Sequence, residues 1–426
     1  MDDKLKKIIM IATSLGAFIV PFMVSSINIA LPTISKEFLL SSVLLNWIAL
    51  SFTLATAIFI LPFGRLADIL GRKKLLLLGM TAFTLASILC GISFNPAMLI
   101  LSRTLQGISG ATISVTVVSI LTSVFPAGAR GKALGLNVAM TYTGLSTGPY
   151  LGGLLTKYFG WRSIFFVSAF IGVAVVISLI NLKQEWVEAK GEKFDFIGSV
   201  IYGISLLGII LGFSLIRSTF GPILIAIGIL AMILFGYYEN KTAHPILNMS
   251  LFKNNKVVTF SSLAALINYS ATFALSYLLS LYLQYIKGFE PTKAGLILIA
   301  QPIVMTLFSP VAGFFSDKIE PQRVASIGMA LTTVGLSFFI FLNETTSIPY
   351  IITALLIMGF GFALFSSPNT NAVMSSVEKK YYGITSGILG ASRTVGQTLS
   401  MGLASLVLAI YIGNAPINST NVISLL

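Results

Sequence analysis

The chain has 426 residues, is 56% hydrophobic and only 10% charged, and has a mean hydropathy of +0.93. That is more apolar surface than a soluble domain can bury, so soluble enzymes and soluble binding modules are excluded and the class is a polytopic membrane protein. The net charge of +13 calls for an explanation in topology rather than in nucleic acid, and the single cysteine, Cys90, excludes an intrachain disulfide or a cysteine metal cluster.

Long continuous apolar runs indicate helices, because a membrane barrel would show alternating strands of about ten residues. Thirteen spans are expected, near 8–32, 43–63, 75–93, 97–125, 131–156, 162–182, 196–216, 220–238, 257–286, 293–315, 323–342, 347–374 and 382–412. The first follows Lys4, Lys6 and Lys7 in the manner of a signal peptide, but it is too long and lacks a small-residue cleavage site, so it reads as a retained span. The tail from Gly413 to Leu426, with Asn414, Pro416, Asn418, Ser419 and Asn421, spans nothing.

Loop charges orient the spans. One set of loops holds Lys4, Lys6, Lys7, Arg65, Arg72, Lys73, Lys74, Arg130, Lys132, Lys183, Lys190, Lys193, Lys241, Lys253, Lys256, Lys318, Arg323, Lys379 and Lys380. The other holds Lys36, Lys157, Arg162, Arg217, Lys287 and Lys293. The basic excess marks the cytoplasmic side, which places the N-terminus inside the cell.

Polar loops divide the chain into residues 1–182 with six spans, a linker 183–256 with two further spans, and 257–426 with five. Between spans two and three lies a charged loop, Gly64-Arg65-Leu66-Ala67-Asp68-Ile69-Leu70-Gly71-Arg72-Lys73-Lys74. A degenerate copy, Gly313-Phe314-Phe315-Ser316-Asp317-Lys318 with Arg323 beyond it, follows the second span of the last part. Repeated halves are a transporter design, with a substrate site expected between them near the midplane.

The Gly64–Lys74 run resembles the loop signature of the major facilitator superfamily. Arg103-x-x-Gln106-Gly107-x-x-Gly110 resembles that family's span-four motif. Gly144-x-x-x-Gly148-Pro149-x-x-Gly152-Gly153 resembles the span-five motif associated with exporters. Asn28-Ile29-Ala30-Leu31-Pro32 and Gly160-Trp161-Arg162-x-Ile164-Phe165 add to the likeness. With the two inserted spans, they point to the fourteen-span drug:proton antiporter branch. The resemblance implies an all-α major facilitator fold, two six-span-type bundles separated by two inserted spans, in the inner membrane of a prokaryote. It departs at Met23, where that branch usually has an aspartate, and at the end of the chain, which stops before a fourteenth span and so reads as truncated.

The residues suggest roles. Gly64, Asp68, Gly71, Arg72 and Lys73, with Gly313 and Asp317 in the copy, form a conformational latch. A carboxylate there can favour the N-terminal end of a neighbouring helix, a contact of about 0.3–1 kcal/mol when exposed and about 2 when partly buried. The alternative is a basic topology determinant alone. Arg103, Gln106 and Gly107 are proton-coupling candidates, the alternative being an arginine that snorkels to the interface. Gly144, Gly148, Pro149, Gly152 and Gly153 form a smooth, bent helix face, either a hinge or plain small-residue packing.

Asn28, Asn268, Tyr269, Phe273, Tyr277, Gln301, Asn369 and Asn371 are substrate-cavity candidates. An aromatic row on span nine, extended by Tyr285, suits lipophilic ligands, although such rows also serve packing. None of the acids lies at a midplane; Asp195 sits at a span end, Glu239 in a loop. His244 lacks ligating neighbours, no metal or cofactor is implied, and no P-loop points to ATP. The expectation is therefore a monomeric secondary transporter, not an enzyme, exporting small lipophilic compounds in exchange for protons across the lipid bilayer, with no nucleic-acid partner. Alternatives are an uptake or facilitator carrier for a metabolite, and a transport-dead sensor or truncated product.

Overall fold

The computed structural model describes residues 3–413 and 415, save 126, 183, 248 and 379–381. The Lys183, Lys379 and Lys380 loop charges, and all but Gly413 and Ala415 of the C-terminal tail, lie outside the described residues. In chain order the helices are α1 (Asp3–Phe38), α2 (Ser42–Leu70), α3 (Arg72–Gly91), α4 (Pro96–Val124), α5 (Ala127–Phe159), α6 (Arg162–Ile180), α7 (Phe196–Ser214), α8 (Phe220–Glu239), α9 (Met249–Asn254), α10 (Lys256–Thr272), α11 (Leu275–Leu281), α12 (Pro291–Leu298), α13 (Ala300–Lys318), α14 (Pro321–Phe338), α15 (Ile348–Ser375) and α16 (Tyr382–Tyr411). A π-helical turn, Tyr282–Ile286, continues α11, and a 3₁₀ turn, Phe339–Phe341, continues α14.

Twelve stretches among the described residues are long and apolar enough to cross a membrane. They coincide with twelve of the thirteen segments read from the sequence. The thirteenth is α5, whose 33 residues are long enough to span but are diluted by glycine, threonine, serine and tyrosine between Thr141 and Gly153.

Two differences from the expected elements stand out. The Gly64–Lys74 stretch, read as a loop, is helical except at Gly71: α2 runs on to Leu70 because Leu66, Ala67, Ile69 and Leu70 are good helix formers and nothing interrupts them. Span nine is broken between Thr272 and Leu275, where the Ala274 amide leaves the helical ladder and donates to Ser400 Oγ at 2.9 Å.

The chain forms two compact units. The first comprises Met1–Met23, Asn46–Gly144 and Arg162–Ser250. In it α3 packs on α4 and α6, and α7 on α8. Small residues set these approaches: a Cβ on Gly79 would stand 2.7 Å from Thr112, and one on Gly228 would stand 2.7 Å from the Ile209 amide. Tyr202 anchors α7 to α2 by donating to the Ala57 carbonyl at 3.1 Å.

The second unit comprises Val24–Leu45, Leu145–Trp161 and Leu251–Leu426. In it α15 packs between α13 and α14, and α10 lies on α16. Ile29, Leu279, Tyr282, Leu283, Ala294, Ile297, Leu298, Ile351 and Leu355 make one apolar core there.

Close helix approach generates a paired prediction. A Cβ on Gly107 would fall on the Phe52 carbonyl oxygen, whereas Gly64 has open space around it inside a helix. Gly107→Ala should destabilise the protein by about 1–3 kcal/mol through overpacking. Gly64→Ala should stabilise it by about 0.5–1 kcal/mol through helix propensity. Melting temperatures in detergent measure both, and equal shifts for the two variants would contradict the packing account.

Candidate functional site

The site is built at the turn between α2 and α3. Gly71 makes the turn alone, with a φ of +111° that side-chain-bearing residues rarely adopt. As the N-cap of α3, Gly71 has no side chain to satisfy the helix's first amides. Glu185, far along the chain, does so instead: its carboxylate accepts from Lys73 N at 2.8 Å and Lys74 N at 2.9 Å. A Cβ on Gly71 would stand 2.6 Å from the Glu185 carboxyl carbon, so only glycine admits this cap.

The segment that brings Glu185 runs from Gln184 to Asp195 and lies across the turn like a strap. Arg72 N donates to the Trp186 carbonyl at 2.9 Å, and the Asp68 carbonyl accepts from Glu188 N at 3.2 Å and Ala189 N at 2.9 Å. Arg72 is the centre of the side-chain contacts. Its guanidinium donates to Asp68 Oδ1 at 2.7 and 3.0 Å, to Glu188 Oε1 at 2.7 Å, to the Ser119 carbonyl at 3.2 Å and to Ser123 Oγ. The Arg72 side chain is 8% exposed, against 31% for Asp68 and 63% for Glu188. The Asp68 bond is therefore the stronger, and solvent screens the Glu188 bond. Arg65 pairs with Glu192, which also lies 3.4 Å from His244 Nδ1.

Asp68 thus faces Arg72 one helical turn away, and the helix N-terminus nearest to it is occupied by Glu185. Lys73 enters the site through its backbone amide. In the degenerate copy, Gly313 lies within α13, where an added Cβ would meet Ser367 Oγ at 3.2 Å. Asp317 falls on the same helix, but its side chain lies outside the described residues.

Arg103 does not snorkel. It is 1% exposed. Its Nε donates to the Ile48 carbonyl at 3.1 Å, Nη1 donates to Gln106 Oε1 at 2.6 Å, and the guanidinium lies 4.5 Å from the Phe52 ring centroid. Gln106 passes the chain on to Ser87 Oγ at 2.7 Å, and the Gly107 carbonyl accepts from Thr56 at 3.0 Å. This is a buried polar network satisfied by α2, α3 and α4 together. Met23 is buried, with Ser168 Oγ 2.7 Å from its sulfur.

The α5 glycines serve close packing within each unit. In the first, a Cβ on Gly144 would strike the Phe18 carbonyl oxygen. In the second, Cβ atoms on Gly152 and Gly153 would stand 2.8 Å from Ser26 Cα and 2.7 Å from the Pro291 oxygen. There too Ser26 Oγ donates to the Gly148 carbonyl at 3.0 Å, and the Pro149 carbonyl lies against Gly295.

The cavity candidates all belong to the second unit and separate by their bonding. Asn369 donates to the Ser261 carbonyl at 3.1 Å, and Asn371 to Ser316 Oγ at 3.0 Å. The Tyr269 ring meets Phe362 edge-on at 5.1 Å, and Phe273 and Gln301 are half-buried. Asn28 is buried, its carbonyl accepting from Ser280 at 2.8 Å. Asn268 Oδ1 and Tyr277 OH are buried polar atoms with no hydrogen-bond partner.

The sequence reading assigned no site role to Glu185, Glu188 and Glu192. Their signal was available: acids spaced i, i+3 and i+7 in one polar loop complement the basic run Arg65, Arg72, Lys73 and Lys74.

Comparison with known proteins agrees with this architecture. The sequence model of the Major Facilitator Superfamily matches residues 13–401. Multidrug resistance protein Stp of Mycobacterium tuberculosis (strain CDC 1551 / Oshkosh) is 29% identical over 412 residues, covering 95% of this chain and 76% of that protein. Riboflavin transporter RibZ of Clostridioides difficile (strain 630) is 30% identical over 406 residues, covering 94% and 88%. The crystal structure of a D-xylose-proton symporter shares the fold, with a TM-score of 0.65 at 13% identity over 98% of this chain and 94% of that one.

The strap generates the second prediction. Losing the Glu185 cap should cost about 0.5–2 kcal/mol, the range for helix N-caps. Hydrogen exchange at the peptide carrying the Lys73 and Lys74 amides should accelerate in Glu185→Ala, and less in Glu185→Gln, which keeps an acceptor oxygen. Unchanged exchange in Glu185→Ala would show that the strap does not hold the turn.

Proposed function

Because the chain belongs to the Major Facilitator Superfamily and is a multi-pass secondary transporter, we propose that it exports small lipophilic compounds in exchange for protons by alternating access. The observation that carries the substrate class is the pairing of Asn268 Oδ1 and Tyr277 OH, buried without partners, with the half-buried aromatic surface of Tyr269 and Phe273. A ligand presenting an apolar body and one or two polar groups would satisfy them. The drug-resistance name of Stp supports efflux.

In this reading Asp68 and Arg72, with Gly64, Gly71, Lys73 and the Glu185 strap, form the conformational latch, and Gly313 and Asp317 its weaker counterpart. Arg103, Gln106 and Gly107 serve proton coupling by holding a fixed buried charge. The α5 glycines with Pro149 form the hinge. Residues 1–182 and 257–426 are the two functional halves, joined by 183–256. The Gly64–Lys74 turn and the N-terminus face the cytoplasm, and the protein works as a monomer in the inner membrane.

A proton crossing 100 mV contributes about 2.3 kcal/mol, and one pH unit about 1.4. Together they support a concentration gradient of several hundredfold, roughly, for one neutral molecule per proton.

A second reading, uptake of a metabolite, is favoured by the name of RibZ and by the thioether at Met23 in place of an acid. Proteoliposomes separate the two. An imposed pH gradient should drive a lipophilic dye against its gradient, an ionophore should abolish this, and Asp68→Asn should slow it while the protein remains folded. Movement of riboflavin but not of dyes, unaffected by the ionophore, would establish the second reading instead.

A further inference from the structure

The two inserted spans hold the buried acids that the transport reading leaves unused. Asp195 ends the strap and caps α7, its Oδ1 accepting from Gly198 N at 2.8 Å. Glu239 is the last residue of α8, its Oε2 accepting from Leu247 N at 2.9 Å. Asp195 is 7% exposed and Glu239 is 3% exposed. The remaining oxygens, Asp195 Oδ2 and Glu239 Oε1, have no hydrogen-bond partner. They converge on one point, since a Cβ on Gly198 would strike both.

Two ionised carboxylates cannot share such a place. The α7 N-terminus and the Gly198 amide accommodate one negative charge. A second, buried beside it with a donor on its far oxygen alone, at Leu247 N, would be unfavourable. The charged and titratable groups of the surrounding elements do not supply the missing donor. Lys193, Tyr238 and His244 line the adjacent surface cleft with Asp195. Lys241 bonds to Tyr237 OH, and Glu192 is engaged with Arg65 and His244.

We propose that Asp195 and Glu239 form a carboxyl–carboxylate pair that binds one proton between Asp195 Oδ2 and Glu239 Oε1. The proton satisfies both orphaned oxygens and leaves the pair with a single negative charge. It also fastens four pieces at one point: the end of the strap, the start of α7, the end of α8 and the loop that returns to Leu247. Loss of the proton sets two charges against each other where the strap is anchored, so proton occupancy at α7–α8 bears on the hold of the strap over Gly71. This inference stands apart from the direction and substrate of transport, and its test needs no transport.

Infrared spectra of the full chain in detergent at neutral pH should show the carbonyl stretch of a protonated carboxyl group. That band should be lost in Glu239→Gln. It should also be lost in Asp195→Asn, whose carboxamide supplies a donor in the proton's place. The melting temperature of the unmodified chain should fall by about 2–4 °C from pH 6 to pH 9 relative to Glu239→Gln, because a proton held by the fold is lost as pH rises. A spectrum without the band, or a band unchanged in both variants, overturns the proposal. A melting temperature raised by sodium or calcium ions in the unmodified chain alone, without the band, assigns the pair to a metal cation and overturns it equally.

Discussion

The loop face of the first unit depends on one guanidinium. Arg72 begins α3, and its planar donors reach the end of α2 through Asp68, the end of α4 through Ser119 and Ser123, and the strap through Glu188. A lysine could not replace it, since an ammonium lacks the fixed fork that meets several acceptors at once. Its burial makes the Asp68 contact strong, and removing the cation would leave Asp68 without its ion-pair partner and the Ser119 carbonyl without this donor. With the Glu185 cap, the Asp68 carbonyl and the Arg65–Glu192 pair, this residue holds the strap on the turn.

The second unit uses a different device. Its span nine is interrupted instead of tied down. The break at Phe273 and Ala274, and the π turn at Tyr282–Ile286, divide one apolar segment into pieces that need not turn together. The aromatic row that looks continuous on a helical wheel is therefore shared across a joint, with Tyr269 before it and Tyr277 after it. Orphaned polar atoms occur on both sides of that joint, in Asn268 and Tyr277. In the proposed export reading, an aromatic surface with few committed hydrogen bonds would admit ligands of varied shape.

The helical architecture was legible in the sequence because apolar length and loop charge are local quantities. The family was legible because its motifs recur in order at the right spans. What escaped was long-range. Glu185 lies 112 positions from the lysine amide it caps, and no pattern local to α3 announces its cap. Gly64 to Leu70 was read as loop on its charges, although Leu66, Ala67, Ile69 and Leu70 sustain a helix there and only Gly71 leaves it. Arg103 was open to a snorkelling reading because sequence gives depth but not neighbours; Ile48, Gln106 and Phe52 decide it. Asp195 and Glu239 were read separately as a span end and a loop acid, since their meeting depends on how α7 and α8 pack.

The composition of α5 has a consequence for biogenesis. Glycines and hydroxyls make it smooth enough to touch other backbones, and the same residues remove it from the helices apolar enough to cross a membrane on their own account. A segment that lipid holds weakly must be received by protein. Its middle, at Gly144, meets Phe18, and further along Gly152 meets Ser26 and Gly153 meets Pro291, which the ribosome delivers long afterwards. During synthesis α5 therefore has α1 as its first companion, and the Gly153 contact waits for α12. A nascent chain stalled between Phe159 and Pro291 therefore lacks one of the protein surfaces against which this weakly apolar span packs.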